Sequence, residues 1–487
     1  MPPPLTSQVK FIQGVRLGGT NASTCTTDSK PTWDILFEYP PSAADGVIVS
    51  ITSSDSANTP SSSVHPPLAL PALVHPHIHL DKAFIHNEPS YKHLLPSTGT
   101  FKEAFTFTTE AKATFTHANL IKRGEWLLAE SVASGVTAMR AFVEVDHTVK
   151  HTCLNAGLEL KRKWKESCEV QLVCFAQDPI FSSLHGEDNR RLIENAIREH
   201  GCDELGVLGT TPYVEATNEA SKQNIEWAID TALQNDRHLD FHLDYNLSPL
   251  EDDVEPLVWH VLRTLRTRGW TTQRTNKRVM LGHCTRLSLF RERDWARLAQ
   301  EINSNNLPVS FVGLPTSDLY MAATTPSFDG PKSNPRGTLP IRSMIRDHNL
   351  DAVIGINNVG NAFTPWGSTD PLGLACLGVG VYQAGTVNDA ELLYECVSTR
   401  SRAAIGLSSL GNGSGVSLRC GDCADILLLY DTDDTGCLDA GSTRVRDSAA
   451  EVVWDPPART NRVVVSRGRV KLPALSAATE AAFRFLE

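Results

Sequence analysis

From residue 69 to residue 407 the chain alternates short apolar runs with amphipathic stretches, and that alternation limits its possible folds more than any other feature. Strand-sized apolar runs fall at 70–75, 136–145, 169–176, 204–209, 239–243, 278–283, 307–313 and 352–356. Between them lie stretches such as 120–133, 223–233, 258–265 and 295–302, in which apolar residues recur at three and four positions. A strand covered on both faces needs a continuous apolar run, whereas a crossover helix needs only one apolar stripe. Their alternation predicts βα units on a parallel sheet, and eight strands is the number that closes a barrel. The expected fold class is α/β, a (β/α)8 TIM-like barrel over residues 69–407.

The flanks have a different texture. Short β-like runs at 9–17, 46–51, 425–430 and 462–465 are separated by Gly, Ser, Asp and Pro, which predicts that 1–68 and 408–487 pair into a composite β-sandwich. The Ser/Pro-rich stretch 53–67 reads as the linker into the barrel. A chain of 487 residues is too long for one simple core, so a barrel with a smaller companion suits its length. Its 41% hydrophobic and 21% charged residues exclude a disordered or fibrous class. A net charge of −11 supplies no basic face for a phosphate backbone, so nucleic acid is not an expected partner. The start MPPPLTSQVK lacks a leader pattern, and no run reaches the roughly 20 apolar residues that span a bilayer; a cytoplasmic protein without a membrane partner is expected. Eleven scattered cysteines suit reduced thiols, and the pair Cys420 and Cys423 reads as a turn ahead of an apolar strand.

Chemistry concentrates at the predicted strand ends. The run Pro71-Ala-Leu-Val-His-Pro-His-Ile-His-Leu-Asp-Lys82 places His77 and His79 two residues apart, so both side chains face the same way on a strand. Taken alone, the pair serves equally as a polar strand end. Two further predicted strands terminate in single histidines, His242 and His283. Four imidazoles at three strand ends of one barrel point to a shared cation, because imidazole is a common ligand and barrels place chemistry at their C-terminal mouth.

These residues make the chain resemble the cytosine deaminase branch of the amidohydrolase superfamily, including enzymes that hydrolyse triazine side chains. The likeness runs along nearly the whole length, through His77-Ile-His79-Leu-Asp81, Arg140-Ala-Phe-Val-Glu144-Val-Asp146, Phe175-Ala-Gln177, Phe241-His242-Leu-Asp244, Gly282-His283 and Gly355-Ile-Asn-Asn358. The resemblance implies one divalent metal ion, Zn foremost and Fe as the alternative, on His77, His79 and His242. It implies His283 as the electrophilic helper and Gln177 as a substrate contact.

The chain departs from that pattern twice. Where the resemblance calls for a metal-binding aspartate ending strand eight, this chain has Asn357, which offers a carbonyl oxygen but no charge and no proton acceptance near neutral pH. Where it calls for a proton-shuttling glutamate, the chain has Tyr245, a phenol with a reference pKa near 10. Asn358 is the alternative residue to face the metal. Glu144, Asp146, Asp81 and Asp244 are candidate replacement proton carriers, with Glu144 also readable as the buried partner of Arg140. Arg140, Asp244 and Trp366 are candidate substrate contacts, and Lys82 is either an anchor for an acidic substrate or an exposed lysine. Asp351 is expected on the stability face; Asp370 lies on the long loop after strand eight, from which it could swing back toward the site. Three functions follow: a metal-dependent hydrolase of a C–N bond in a cyclic or heteroaromatic small molecule, a lyase, decarboxylase, isomerase or cyclase on the same scaffold, or a non-catalytic pseudoenzyme. The partner is a small-molecule substrate, with homo-oligomerisation left open.

Overall fold

Eight strands pair in parallel and in chain order, as the alternating sequence predicts: β5 (Leu73–His79), β6 (Val136–Glu144), β7 (Glu169–Ala176), β8 (Val207–Thr210), β9 (His238–Leu243), β10 (Val279–His283), β11 (Val309–Gly313) and β12 (Ala352–Ile354). The computed structural model describes residues 6–18, 31–40, 45–54, 66–250, 254–322, 336–408, 415–431, 444–471 and 483–485. The barrel closes between its first and last strands through a parallel bridge of Ile78 with Asn357. There the His79 N–H donates to the Asn357 carbonyl at 2.8 Å and the Asn357 N–H donates to the His77 carbonyl at 3.1 Å. Closure therefore falls on the very residues singled out for chemistry.

Helices α1 (Phe101–Lys112), α2 (His117–Ser134), α3 (Thr152–Trp164), α4 (Gly186–Glu199), α5 (Asn218–Gln234), α6 (Val258–Arg268) and α7 (Glu292–Ser304) lie between the strands, and α8 (Pro315–Met321) and α9 (Ile341–Arg346) follow β11. After β12 come α10 (Pro371–Val381), α11 (Val387–Glu395) and α12 (Thr399–Ala404). The main core is the shell between strands and helices, where Leu127, Leu154, Leu172, Ile229 and Leu262 are buried. Inside the barrel the even residues of β6 mark successive layers, since alternate side chains share a face. Ala138 belongs to the apolar floor with Met280, Val312 and Ile405. Arg140 lies above it, then Phe142, with Glu144 at the end of the strand.

Two strand boundaries shift from expectation. The run at 70–75 divides at Ala72: β4 (Leu68–Pro71) pairs with strands outside the barrel, and the barrel strand starts at Leu73. The run at 204–209 starts later, because Glu204 and Leu205 donate to the Gly201 carbonyl in a turn.

Both flanks build one second sheet. Its order is β15 (Arg469–Lys471), β14 (Arg462–Ser466), β13 (Ile426–Leu429), β4, β1 (Thr6–Leu17), β2 (Trp33–Glu38) and β3 (Val47–Ser53), with β16 (Phe483–Phe485) on β1. β15 also pairs with β1, so the sheet curls onto itself around Val9, Ile12, Ile35, Ile426 and Val465. Most of the expected linker, 55–65, lies outside the described residues. Cys420 and Cys423 flank a turn closed by the Asp422 N–H on the Arg419 carbonyl, and both thiols are free. Asp351 sits at the base with Arg278 and Ser310, as expected of the stability face. Asp370, which the sequence left able to swing toward the site, caps α10 through the Leu372 N–H and pairs with Arg462. No described helix is long and apolar enough to cross a membrane.

Candidate metal centre

β5 presents His77 and His79, and β9 presents His242, all at most 2% exposed. Their Nε2 atoms converge, His77 to His242 at 3.2 Å and His79 to His242 at 3.1 Å. A cation with nitrogen bonds near 2.0–2.1 Å in tetrahedral array spaces its ligands by roughly 3.3 Å, close to the spacing here. Burial, and then neighbouring imidazoles and cationic side chains, hold all three pKa values well below the ordinary histidine value. Neutral imidazole is the form that ligates. Three neutral Nε2 atoms turned toward one point suit a cation better than they suit one another, so this donor set fits a divalent metal.

Asn357 completes the rim. Its backbone, held at φ 69° by the barrel closure, adopts a left-handed conformation that asparagine tolerates better than most residues. Its Nδ2 donates to Ser317 Oγ at 2.9 Å, which leaves a buried Oδ1 with no hydrogen-bond partner on an amide lying against His77. A carbonyl oxygen so placed can face a cation. Asn358 is turned away, its Oδ1 accepting from Asn361 Nδ2 at 2.8 Å. Behind the ligands, Asp240 Oδ1 stands 3.7 Å from His77 Nδ1.

His283 ends β10 with its ring centre 5.2 Å from that of His242. Its Nδ1 donates to Asp318 Oδ1 at 2.7 Å, so Nε2 is the nitrogen left without that proton. Asp318 is fully buried and also accepts from the Leu314 N–H at 3.0 Å and the Thr338 hydroxyl at 2.7 Å. Sequence reasoning missed this carboxylate; an acidic residue in the first turn of the helix after a barrel strand was the available signal. Tyr245 stacks on His283 with ring centres 3.8 Å apart. Burial, then Asp318 and Tyr213, push its phenol well above the ordinary value, so it remains a neutral hydroxyl that donates to the Ser317 carbonyl.

The structure places several of the other candidates differently from expectation. Glu144 lies between Lys82 at 2.6 Å and Lys112 at 2.9 Å. Burial opposes its charge, but Lys112 and Lys82 hold the carboxyl down at about 2, which makes it an anchor for cations and a poor proton carrier. Arg140 does not pair with Glu144 and does not reach the mouth. It is fully buried one layer lower, bonded to Asp240, Gln171 and the Ile405 carbonyl, because an interior guanidinium needs every donor satisfied. The Asp244 carboxylate is likewise engaged by the backbone: it accepts the Leu257 and Val258 N–H groups at 2.9 and 3.0 Å and so caps the start of α6. Trp366 is 53% exposed and makes no ring contact with the site aromatics. The aromatic wall consists instead of Phe101 on α1, which meets Tyr245 and Phe363 at 6.2 and 5.6 Å. Asp81 accepts the Glu144 N–H and Asp146 accepts from Lys112, while Lys82 is buried at 2% exposure where an exposed lysine was the alternative. Lys82 Nζ donates to Gln177 Oε1 at 2.8 Å, bringing Gln177 to the same mouth.

No family model matches the chain. The N-isopropylammelide isopropyl amidohydrolase of Pseudomonas sp. (strain ADP) is 27% identical over 180 residues, which are 37% of this chain and 42% of that relative. The 5-methylcytosine deaminase from Klebsiella pneumoniae liganded with phosphonocytosine superposes with a TM-score of 0.72 at 21% identity, covering 94% of this chain and 97% of that one. The N-isopropylammelide isopropylaminohydrolase from Burkholderia multivorans ATCC 17616 gives a TM-score of 0.66 at 21% identity, covering 94% and 97%. The barrel that carries the histidines here, with its curled sheet built from both flanks, is therefore the amidohydrolase-type fold of these deaminases and amidohydrolases.

Proposed function

We propose that this protein is a metal-dependent hydrolase that cleaves a C–N bond of a cyclic or heteroaromatic small molecule. The observation behind this reading is the convergence of three buried, neutral imidazole Nε2 atoms at the mouth of the barrel. Zn is the first candidate for the cation and Fe the second, since both accept imidazole ligands. Bound there, the ion acts as a Lewis acid that lowers the pKa of water toward roughly 7.

The chain's own residues then have defined tasks. His77, His79 and His242 would hold the cation, and Asn357 would offer it a neutral carbonyl oxygen. His283 Nε2, left without a proton because Nδ1–H donates to Asp318, accepts a proton from water and returns it to the leaving nitrogen. That dyad supplies the base that neither Asn357 nor Tyr245 provides. Tyr245 orients the imidazole by stacking, and Phe101 and Phe363 form an aromatic edge beside it. A second reading, a non-hydrolytic lyase, decarboxylase, isomerase or cyclase, is favoured by the loss of both carboxylates at Asn357 and Tyr245.

One experiment addresses both. Elemental analysis of wild type should find one divalent ion per chain and His242→Ala close to none, and metal-free wild type would refute the proposal. Amine release from amino-substituted rings should be present in the wild type. Release that appears only in the Asn357→Asp, Tyr245→Glu double variant would favour the non-hydrolytic reading.

A further inference from the structure

Two buried hydroxyls set the orientation of the Asn357 amide. Its Nδ2 donates to Ser317 Oγ at 2.9 Å, and Ser317 Oγ lies 2.5 Å from Thr364 Oγ1. Ser317 and Thr364 are both 1% exposed, so neither hydroxyl has water as an alternative partner. The Ser317 carbonyl is held by the Tyr245 hydroxyl at 3.3 Å, and the Thr364 N–H by the Asn361 carbonyl at 3.1 Å. With its N–H on Ser317, the amide keeps Oδ1 toward His77, buried and with no hydrogen-bond partner. Turned over, it would aim N–H groups at the point where the three imidazole Nε2 atoms meet, donor against cation.

The consequence is electrostatic. The side chains turned to that point, three imidazoles and one amide carbonyl, carry no charge. The buried carboxylates nearby are already engaged. Asp240 pairs with Arg140 at 3.0 Å, Glu144 lies between Lys82 and Lys112, and Asp318 is bonded to His283, the Leu314 N–H and the Thr338 hydroxyl. Lys82 adds a buried ammonium on the same side, 5.7 Å from the centre of the Phe175 ring, which is itself 4.6 Å from that of His242. A divalent ion is the largest charge in such a site, and a buried charge needs a partner of opposite sign. An aspartate at position 357 would meet one of the two charges; the amide leaves that charge for the ligand to meet. We infer that Asn357, positioned by Ser317 and Thr364, makes this centre an anion site. The hydrolase reading, on which this inference rests, then applies to an acidic small molecule whose anionic group, a carboxylate or a deprotonated ring edge, meets the cation.

The test uses cobalt(II)-loaded protein and two probes of equal size, formate and formamide, each titrated by the visible absorption of the ion. Wild type should bind formate about tenfold or more tightly than formamide. Asn357→Asp should weaken formate about tenfold and change formamide by less than about threefold, since only the anion feels the added carboxylate. Ser317→Ala, which frees the amide without altering any charge, should lower cobalt affinity about tenfold, measured by competition with a chelating dye. That variant and the wild-type comparison decide the matter if Asn357→Asp does not fold. Formate bound no more tightly than formamide by wild type, formate affinity unchanged in Asn357→Asp, or cobalt affinity unchanged in Ser317→Ala would each overturn the inference. The hydrolase reading survives those results as long as wild type holds cobalt and His242→Ala does not. If wild type holds no cobalt, both fall.

Discussion

A histidine that takes a proton on one ring nitrogen must have the other held by a fixed acceptor, or it spends its time in the wrong tautomer. In this site Asp318 is that acceptor, buried and itself held by the Leu314 N–H and the Thr338 hydroxyl. Asp318→Asn should lower kcat on the order of 100-fold or more while the metal content stays at the wild-type level. Loss of metal in that variant would mean that the carboxylate organises the ligands instead. Glu144 offers a pH test. Its folded pKa, about 2, lies below the ordinary carboxylate value, so its contribution to stability is present above pH ~4.5 and disappears as the pH falls toward 2. Urea midpoints of wild type and Glu144→Gln should differ clearly at pH 7 and converge toward pH 2. A gap independent of pH would show that the lysine contacts of Glu144 are not what lowers its pKa.

Among the elements, α6 shows how a carboxylate near the ligands can serve structure alone. Leu257 precedes the helix without a side-chain cap of its own, and Asp244, at the end of β9, takes the exposed N–H groups of Leu257 and Val258. Two charge-assisted bonds at a helix start tie the strand that carries His242 to the helix that follows it. Asp244→Ala should lower stability by about 1–3 kcal/mol in urea unfolding, with KM for any substrate unchanged. A selective rise in KM would restore the binding role expected from sequence. Pattern alone shows such a carboxylate close to a ligand; its partners are backbone groups 13 and 14 residues away.

On the scale of the whole molecule, the barrel and the curled sheet are joined by buried charge. Arg462 on β14 holds Asp370 through two contacts of 2.8 Å and also donates to the Ser134 and Pro457 carbonyls. Arg462→Met should cost on the order of 3–5 kcal/mol in urea unfolding, because it leaves a buried carboxylate uncompensated. A change below about 1 kcal/mol would mark the pair as peripheral. With strands from both flanks built into one sheet and that sheet clamped to the barrel, neither part can loosen without cost to the other.

The residue pattern alone determined the barrel, the strand-end histidines and the pairing of the flanks, since burial on two faces, alternation along a strand and turn chemistry are local rules that the chain obeys residue by residue. Tertiary structure decided which charged groups reach the site. Arg140 and Asp244 lie within four residues of site residues in the sequence but turn to a lower layer and to a helix cap, while Asp318, 35 residues from His283, reaches its ring. The same holds for the choice between Asn357 and Asn358, which rests on the closing bridge of the barrel. A buried charge settles wherever its partners are, and those partners come from elements far along the chain whose separation only folding removes.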